Sequence, residues 1–294
     1  MSRAGRVVLV TAAFLFAAAT VQAQDGTLQT MRNDVRQGSP SGPPEASPPP
    51  EDHPQHHDDS TGQSSSSDDA GGTLGILLAG LVGAGAAVSS PIWIPLGLTA
   101  DQPFSQSGEF PAFPYASTSG YLIDEPTGVP TRNWAGRFDV EYVDTFDRVE
   151  KVGGHLLLET TSRFGLDTRA QHLNEKLAGG GRDSLWLGDF NLTYRFAQCS
   201  WAQFRAGLGF NWLDDAKDTD LGFNFLYGVD LFPAKPWVIS ATLDAGTLGR
   251  AGLFRFQTTA GVMLRRFELY TGYEYTDIER THWNGLIGGV RIWF

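Results

Sequence analysis

The sequence is poor in the residues on which several classes of function depend. Cys199 is its only cysteine, which excludes an intrachain disulfide framework and a zinc site built from cysteines. Its four lysines are dispersed and its formal net charge is −11, so it lacks the concentrated basic surface that a nucleic-acid partner requires. A phosphate-binding loop and a serine nucleophile motif are also missing. The sequence therefore indicates no cofactor, no metal site and no catalytic constellation.

Glycine and aromatic residues, by contrast, are plentiful. The chain contains 35 glycines, and 12% of its residues are Phe, Trp or Tyr. Together these residues suit closely spaced strands whose aromatic rings lie at an interface. With 294 residues, the chain has room for one large domain with appendages or for two small domains.

The first segment, residues 1–23, has the composition of an export signal. Arg3 and Arg6 precede an apolar stretch that runs from Val7 to about Val21, and small residues at Val21 and Ala23 suit cleavage before Gln24. We therefore expect a signal peptide and an exported mature protein.

Residues 24–72 are rich in Pro, Ser, Asp, Gln and Gly and have almost no apolar side chain to bury. Such a segment cannot offset its own chain entropy, so we expect it to be disordered. His53, His56 and His57 stand among carboxylates and could hold a transition-metal ion weakly. A solvated polar run is the simpler interpretation, because a flexible chain provides no fixed geometry.

Residues 73–98 form an apolar segment rich in Gly and Ala, long enough for a membrane helix. Gly75, Ala79, Gly83 and Ala87 recur every four positions, the spacing of a close helix contact. Two interpretations stay open: a segment docked on the rest of the protein or on another protein, and a single membrane-spanning helix. Residues 99–135, rich in Pro, Gly and aromatics, are predicted to be an irregular linker.

From residue 136 to residue 294 the sequence alternates between apolar and polar residues with a period of two. In the run that begins at Arg137, Phe138, Val140 and Tyr142 alternate with Asp139 and Glu141. Similar runs follow to the end of the chain, each about ten residues long, which is the length of a tilted membrane strand. We therefore predict an all-β fold, an antiparallel transmembrane β-barrel over residues 136–294.

The connections between the runs suggest which way the barrel faces. Tight links alternate with longer polar ones, which is typical of short periplasmic turns and longer outer loops. Aromatic residues at the strand ends predict two interfacial girdles. We assign one girdle to the short turns and the other to the long loops: Phe196, Trp201, Phe232, Trp237, Phe267 and Trp293; and Trp186, Trp212, Tyr275 and Trp283.

The number of strands depends on the stretch from Leu156 to His172, which keeps one unbroken parity. A three-residue turn would preserve that parity, so a hairpin between Arg163 and Leu166 gives ten strands, which we prefer. An unbroken strand gives nine, at odds with the even number of bacterial barrels, unless the first run lies outside and leaves eight.

The last strand ends on Phe294. Leu286, Val290, Ile292 and Phe294 alternate as an apolar face, with Arg291 on the other face. This ending resembles the C-terminal signature of bacterial outer-membrane β-barrel proteins, such as the small OmpA-like and OmpW-like barrels. The resemblance implies location in the outer membrane, contact with its lipid, and an assembly signal at Val290, Ile292 and Phe294 that the barrel-assembly machinery reads.

Strand parity also predicts what fills the barrel. Arginine can satisfy several acceptors at once, so near-balanced arginines and carboxylates in a narrow lumen should interlock as hydrogen-bonded pairs. No lysine is predicted to point inward, and Lys151 is assigned to a connection. The predicted lumen network comprises Asp139, Glu141, Glu159, Arg163, Asp189, Arg195, Arg205, Asp230, Asp244, Arg255, Arg265, Glu268, Glu274 and Arg291, with Asp167 and Arg169 on the same face.

Three functions follow from this interpretation. We favour a plugged barrel with a structural or surface-interaction role, because narrow barrels leave room only for side chains. A narrow channel for small solutes is the first alternative. The second is a membrane-embedded hydrolase or acyltransferase that pairs a histidine with a carboxylate, although parity places His155 inward and His172 and His282 outward.

Overall fold

A computed structural model describes residues 26–38, 91–92, 94–100, 108–123, 128, 130–146, 148–177 and 180–294. The predicted signal peptide at 1–23, and the parts of the predicted disordered and apolar segments at 39–72 and 73–90, lie outside these residues. Among the residues described, no helix has both the length and the hydropathy needed to cross a membrane.

The C-terminal half forms a closed antiparallel β-barrel of ten strands, which confirms the predicted all-β barrel and its strand number. Each strand pairs with its neighbours in sequence, and the tenth strand pairs with the first. The strands are β1 Trp134–Thr145, β2 Val149–Thr160, β3 Phe164–Lys176, β4 Arg182–Cys199, β5 Ala202–Asp214, β6 Thr219–Ala234, β7 Trp237–Leu248, β8 Ala251–Leu264, β9 Phe267–Ile278 and β10 Thr281–Trp293.

The hairpin that decides the strand number turns at residues 161–163. The Arg163 backbone N–H donates to the Thr160 carbonyl at 3.0 Å, and Arg163 has a φ of 71°. Three residues in the turn keep the alternation of the two strands in phase, because side chains on a strand repeat every two residues. This explains why the sequence alone shows an unbroken parity here.

The barrel has two distinct ends. At the end that we call the termini end, β1 begins and β10 finishes, and the connections are residues 161–163, 200–201, 235–236 and 265–266. At the opposite end, the helix end, the connections are residues 146–148, 177–181, 215–218, 249–250 and 279–280. The prediction of longer polar loops is wrong here, because the strands extend further than predicted and leave at most five residues in each connection of the helix end.

A helix, α1 (Thr27–Gln37), closes the helix end of the barrel. Its apolar side chains Leu28, Met31 and Val35 are fully buried against a ring of inward residues from the strand ends. The prediction of disorder for residues 24–72 is therefore wrong over α1. The remaining described helical residues, 91–92 and 94–99, fall at the end of the predicted apolar segment.

The predicted linker closes the termini end. Residues 108–123 make no strand, but two isolated bridges, Glu109 with Ile123 and Phe110 with Arg132, fold them into a compact loop. Phe110, Tyr121 and Leu122 are buried against inward residues of β1, β6, β7, β8 and β10. The segment is irregular, as predicted, but it belongs to the barrel interior.

The aromatic girdle prediction is wrong for three residues. Phe232, Trp283 and Trp293 are buried within the barrel, each at most 2% exposed. Trp283 packs in the ring beneath α1, whereas Phe232 and Trp293 pack around Tyr121 at the termini end. Large aromatic rings near strand ends serve here to fill the two mouths of the lumen.

Candidate functional site

The site with the most chemistry is the lumen, a layer of charged residues between the two apolar mouths. Period-two alternation places these side chains inward on every strand, because successive side chains of a strand point to opposite faces. The structure buries nearly all of the predicted network residues there: Asp139, Glu141, Glu159, Arg163, Asp189, Arg195, Arg205, Asp230, Asp244, Arg255, Glu268, Glu274 and Arg291.

The residue that departs from the prediction is Arg265. It is exposed, has a φ of 62° and lies in the turn between β8 and β9. The alternation of side chains predicts the inward face only within a strand. Because β8 ends at Leu264, the rule does not apply to Arg265.

The seam between β1 and β10 is held by a chain of charged groups. Asp139 lies directly opposite Arg291 in the register of the two strands, and the Arg291 Nε donates to the Asp139 Oδ1 at 2.8 Å. The Arg291 Nη1 donates to the Glu268 Oε1 at 3.0 Å, and the indole N–H of Trp293 donates to the other oxygen of Glu268 at 2.8 Å. Arg291 thus joins three neighbouring strands from inside the barrel.

Asp230 on β6 is shared by two arginines and a serine of the lumen. It accepts hydrogen bonds from the Arg137 Nη1 at 2.6 Å, the Arg205 Nη1 at 2.5 Å and the Ser240 hydroxyl at 2.6 Å. Arg137 reaches it from β1, which lies on the far side of the barrel in strand order. The pair therefore spans the lumen at this level.

A second cross-lumen group surrounds Arg255. Its guanidinium bonds to Asp244 at 3.0 Å from Nε and also pairs with Asp189 on β4. The amide of Asn191 donates to Asp189 at 2.9 Å, and that of Asn224 donates to Asp244 at 3.1 Å. The two carboxylates share one arginine and complete their hydrogen bonds with neutral amides.

Sequence reasoning missed two cations of this layer. Lys151 is buried and pairs with Glu274, so its assignment to a connection is wrong. Arg137 is also buried and pairs with Asp230. The signal was present in the sequence, because Lys151 shares the parity of His155, and Arg137 shares that of Asp139.

His155 lies between two carboxylates of the lumen. Its Nδ1 is 3.2 Å from Asp139 and its Nε2 is 2.9 Å from Asp167, and all three side chains are at least 97% buried. A carboxylate accepts hydrogen bonds, so both ring nitrogens donate and the imidazole is a cation. His172 and His282 face outward, and the three histidines do not form one site.

The lumen holds equal numbers of acidic and basic side chains. The buried acids are Asp139, Glu141, Glu159, Asp167, Asp189, Asp230, Asp244, Glu268 and Glu274. The buried bases are Arg137, Lys151, Arg163, Arg169, Arg195, Arg205, Arg255 and Arg291, and His155 is the ninth basic side chain. A cavity beside Arg137, Arg169 and Arg291 has a volume of only about 10 Å³, room for about one water molecule.

At the helix end, α1 is held by groups from the barrel rim. A helix N-terminus presents backbone N–H groups without partners inside the helix. The Glu175 carboxylate of β3 accepts from the N–H of Thr27 at 2.7 Å and from that of Leu28 at 2.9 Å. A strand residue thus caps the helix, which explains why no local capping motif marks α1 in the sequence.

Ion pairs fix the rest of α1 to the rim. Arg32 pairs with Asp183 at 2.5 Å and with Asp215 at 2.7 Å, and Arg36 pairs with Asp215 at 3.1 Å. Asp34, fully buried, accepts from the Arg280 Nε at 2.9 Å. Burial raises the pKa of Asp215, but hydrogen bonds from Arg36 and from two backbone N–H groups outweigh it, so this pKa lies below its ordinary value.

We expect acid to loosen α1. Because the folded protein lowers the pKa of Asp215, that carboxylate stabilises the folded state above its ordinary pKa of about 4 and loses this contribution as the pH falls. A spin label at Asn33, on the exposed face of α1 in a Cys199→Ser background, should become more mobile between about pH 7 and about pH 3. The measurement is electron paramagnetic resonance of the purified protein.

The control is Arg36→Gln, which removes a partner of Asp215. In this variant the label should already be more mobile at neutral pH and should respond less to acid. Equal mobility of the label at both pH values in the parent protein would show that the rim charges do not hold α1.

At the termini end, aromatic packing closes the lumen. Tyr121 packs against Trp293 and Phe232, with ring centroids 4.9 Å and 5.5 Å apart. The Tyr115 hydroxyl donates to the Trp237 carbonyl at 2.6 Å, and burial raises the pKa of Tyr115 to about 12. A Cβ at Gly120 would lie 1.6 Å from the Ser200 carbonyl oxygen, so the loop approaches the barrel as closely as only glycine allows.

The chemistry of this arrangement is that of a filled interior. Most of its charged groups bond to one another, although Nε and Nη1 of Arg169 have no hydrogen-bond partner within the described part of the chain. His155 is enclosed between two carboxylates, and both mouths are packed with apolar side chains. The described residues contain no cluster of three potential metal ligands from His, Cys, Asp and Glu. No protein-family model matches the chain, and no curated protein matches it.

Proposed function

We propose that the protein is an integral barrel of the bacterial outer membrane with a closed lumen and a structural or surface-interaction role. The observation that carries the proposal is a continuous uncharged belt around the outside of the barrel. Large apolar side chains point outward along it and are about half exposed, among them Val140 at 53%, Leu208 at 58% and Leu269 at 61%.

The belt has a defined height. On β1 the outward residues are uncharged from Trp134 to Tyr142, and on β9 they are uncharged from Phe267 to Tyr275. The first charged residues on the outward faces of these two strands are Asp144 and Asp277, which lie beyond the belt near the helix end. The uncharged span is about nine residues per strand, which is the length a strand needs to cross the hydrocarbon core of a bilayer.

A closed sheet also meets the backbone requirement of lipid. Every spanning strand has hydrogen-bonded neighbours on both sides, so no row of backbone groups faces the hydrocarbon. A polar interior under an apolar exterior reverses the arrangement of a water-soluble protein, in which the apolar residues lie inside. Lipid is the environment in which this distribution is stable.

The strand that closes the barrel supports a role for the assembly machinery. Val290 and Ile292 are exposed on the outer face, and Phe294 packs against Trp134 at a centroid distance of 6.0 Å. Backbone hydrogen bonds join Phe294 to Gly136 at 2.7 Å and 2.8 Å, so the seam is paired up to the last residue. We propose that these outward residues are the assembly signal that the C-terminal resemblance implies.

The first test is location. In a bacterial host, the chain with its own N-terminal segment should fractionate with outer-membrane lipid and resist extraction by salt and alkali. A heat-dependent change in migration on gels should accompany folding. Recovery as a soluble, folded barrel from the periplasm would overturn the proposal.

The closed lumen gives a second test that separates a plugged barrel from a channel. Deleting residues 26–38 removes α1, but the pair of Asp230 with Arg137 and the groups around Arg255 still cross the lumen. We therefore expect planar-bilayer conductance of the deletion variant to stay at the background of the intact protein. Discrete conductance steps in the intact protein would instead support the narrow channel, and steps only after the deletion would make α1 the barrier.

A further inference from the structure

The two plugs of the barrel come from one chain and lie at opposite ends. The backbone N–H of Arg250, in the connection between β7 and β8, donates to the Val35 carbonyl at 2.8 Å, which fixes the last turn of α1 at the helix end. The Tyr121 N–H donates to the Ser200 carbonyl at 2.9 Å, which fixes residues 108–123 at the termini end. The chain between Gly38 and Gly108 must therefore pass from one end of the barrel to the other.

The lumen does not offer this path. Cross-lumen contacts such as Arg137 with Asp230 and Arg255 with Asp189 occupy its cross-section. The cavity beside Arg137 and Arg291 has room only for about one water molecule. A polypeptide needs far more space than this. The described lumen therefore has no room for a further pass of the chain.

The described residues show where the chain meets the outer wall. The Tyr227 hydroxyl, on the outward face of β6, donates to the Pro91 carbonyl at 2.7 Å. Tyr227 lies near the middle of β6, between Thr219 at the helix end and Ala234 at the termini end. Residues 91–92 and 94–99 are helical and follow this contact toward Gly108.

The end of α1 and the hydrogen bond between Tyr227 and Pro91 lie on neighbouring strands of the barrel. Gly38, the residue after α1, packs against Arg250 beside β7, and β7 is the neighbour of β6. On the helix-end side of Tyr227, the outward residues of β6 are Leu221, Phe223 and Phe225, all apolar and exposed. This uncharged face leads from the place where α1 ends to the place where Pro91 binds.

We propose that the outward face of β6 is a docking surface for the chain's own apolar segment, residues 73–98. The chain would thereby cross the bilayer once outside the barrel. This crossing would place α1 on the side of the membrane opposite to the start of β1 and the end of β10. The segment has no charged residue, and its 26 residues exceed the roughly 20 that a helix needs to cross a bilayer. The inference rests on the proposed membrane location.

Site-specific photo-crosslinking tests the docking surface. A benzoylphenylalanine at Phe223 on β6 should crosslink, within one chain, to peptides from residues 73–90, detected by mass spectrometry after proteolysis of the membrane-embedded protein. The matched control carries the same group at Phe138 on β1, an outward phenylalanine across the barrel, and should give no such peptide. Absence of the peptide at Phe223, or equal yield at both positions, would overturn the proposal.

Surface labelling of intact cells tests the position of α1. In a Cys199→Ser background, Asn33→Cys reports α1, Lys217→Cys reports the helix end and Lys235→Cys reports the termini end; all three positions are exposed. A membrane-impermeant maleimide, applied to intact cells and again after the outer membrane is opened, should label the first two positions together and the third from the opposite side of the membrane.

The labelling pattern separates the two proposals. Labelling at Lys217→Cys without labelling at Asn33→Cys would overturn the crossing while leaving the membrane barrel intact. A soluble protein whose three positions behave alike would overturn the membrane location and, with it, the crossing.

Discussion

Replacing Asp230 by alanine is expected to destabilise the barrel more than any other single change in the lumen. The substitution leaves Arg137 and Arg205 buried without the carboxylate that they share. Removing one member of a buried ion pair typically costs about 3–5 kcal/mol, because the remaining charge is uncompensated. The midpoint of the heat-dependent gel shift, or of urea unfolding in detergent, should fall accordingly.

Two further variants make this result specific. Asp230→Asn keeps the shape and the hydrogen bond with Ser240 but removes the charge, so we expect an intermediate effect. Glu150→Ala removes an exposed ion pair, in which Lys176 lies 2.5 Å away, and should leave the midpoint unchanged because water solvates both charges. If Asp230→Ala behaves like Glu150→Ala, the two arginines face open water and the lumen is a channel.

Deleting Phe294 is expected to block assembly of the barrel. The deletion removes one aromatic side chain, worth at most about 3 kcal/mol of apolar burial, and the backbone pairing with Gly136. If the terminal strand also carries the assembly signal, the loss should exceed this contribution to stability. The variant should accumulate in the periplasm as unassembled, protease-sensitive protein.

Phe256→Ala is the matched control for this deletion. Phe256 is an outward residue in the middle of β8, opposite Leu243 and Tyr275, and its truncation removes a similar apolar area without touching the seam. We expect this variant to reach the outer membrane. Equal assembly of both variants would make Phe294 merely the last residue of a strand.

Together these properties describe a barrel closed at three levels. The ring beneath α1 closes the helix end, the charged network closes the middle, and the aromatic loop closes the termini end. Charged groups that are buried and mutually bonded favour one packing over others only when every member finds its partner. Most charged groups of the middle layer have such a partner on another strand, as Arg137 has in Asp230 and Arg291 in Asp139.

The alternation of residues along the chain was sufficient to predict the barrel and the inward face of most lumen residues. Alternation with a period of two assigns each side chain to one face of the sheet without knowledge of the neighbouring strand. Asp139, Asp230 and Arg291 could therefore be placed inward before any strand pairing was known. The ten strands depended on one hairpin. It is present as predicted, but it turns at residues 161–163 rather than between Arg163 and Leu166, because β3 already begins at Phe164. Misplacement of Lys151 and Arg265 came from uncertainty about where strands begin and end.

The partners of these residues were decided by the tertiary structure alone. Arg137 and Asp230 lie far apart in the sequence, and only barrel closure and register bring them to 2.6 Å. The helix α1 has three buried apolar side chains in a polar segment, too few to predict order, because the ring that covers them and the Glu175 cap come from the barrel. Local patterns determine which face a residue occupies, whereas contacts across a closed lumen depend on the geometry of all ten strands.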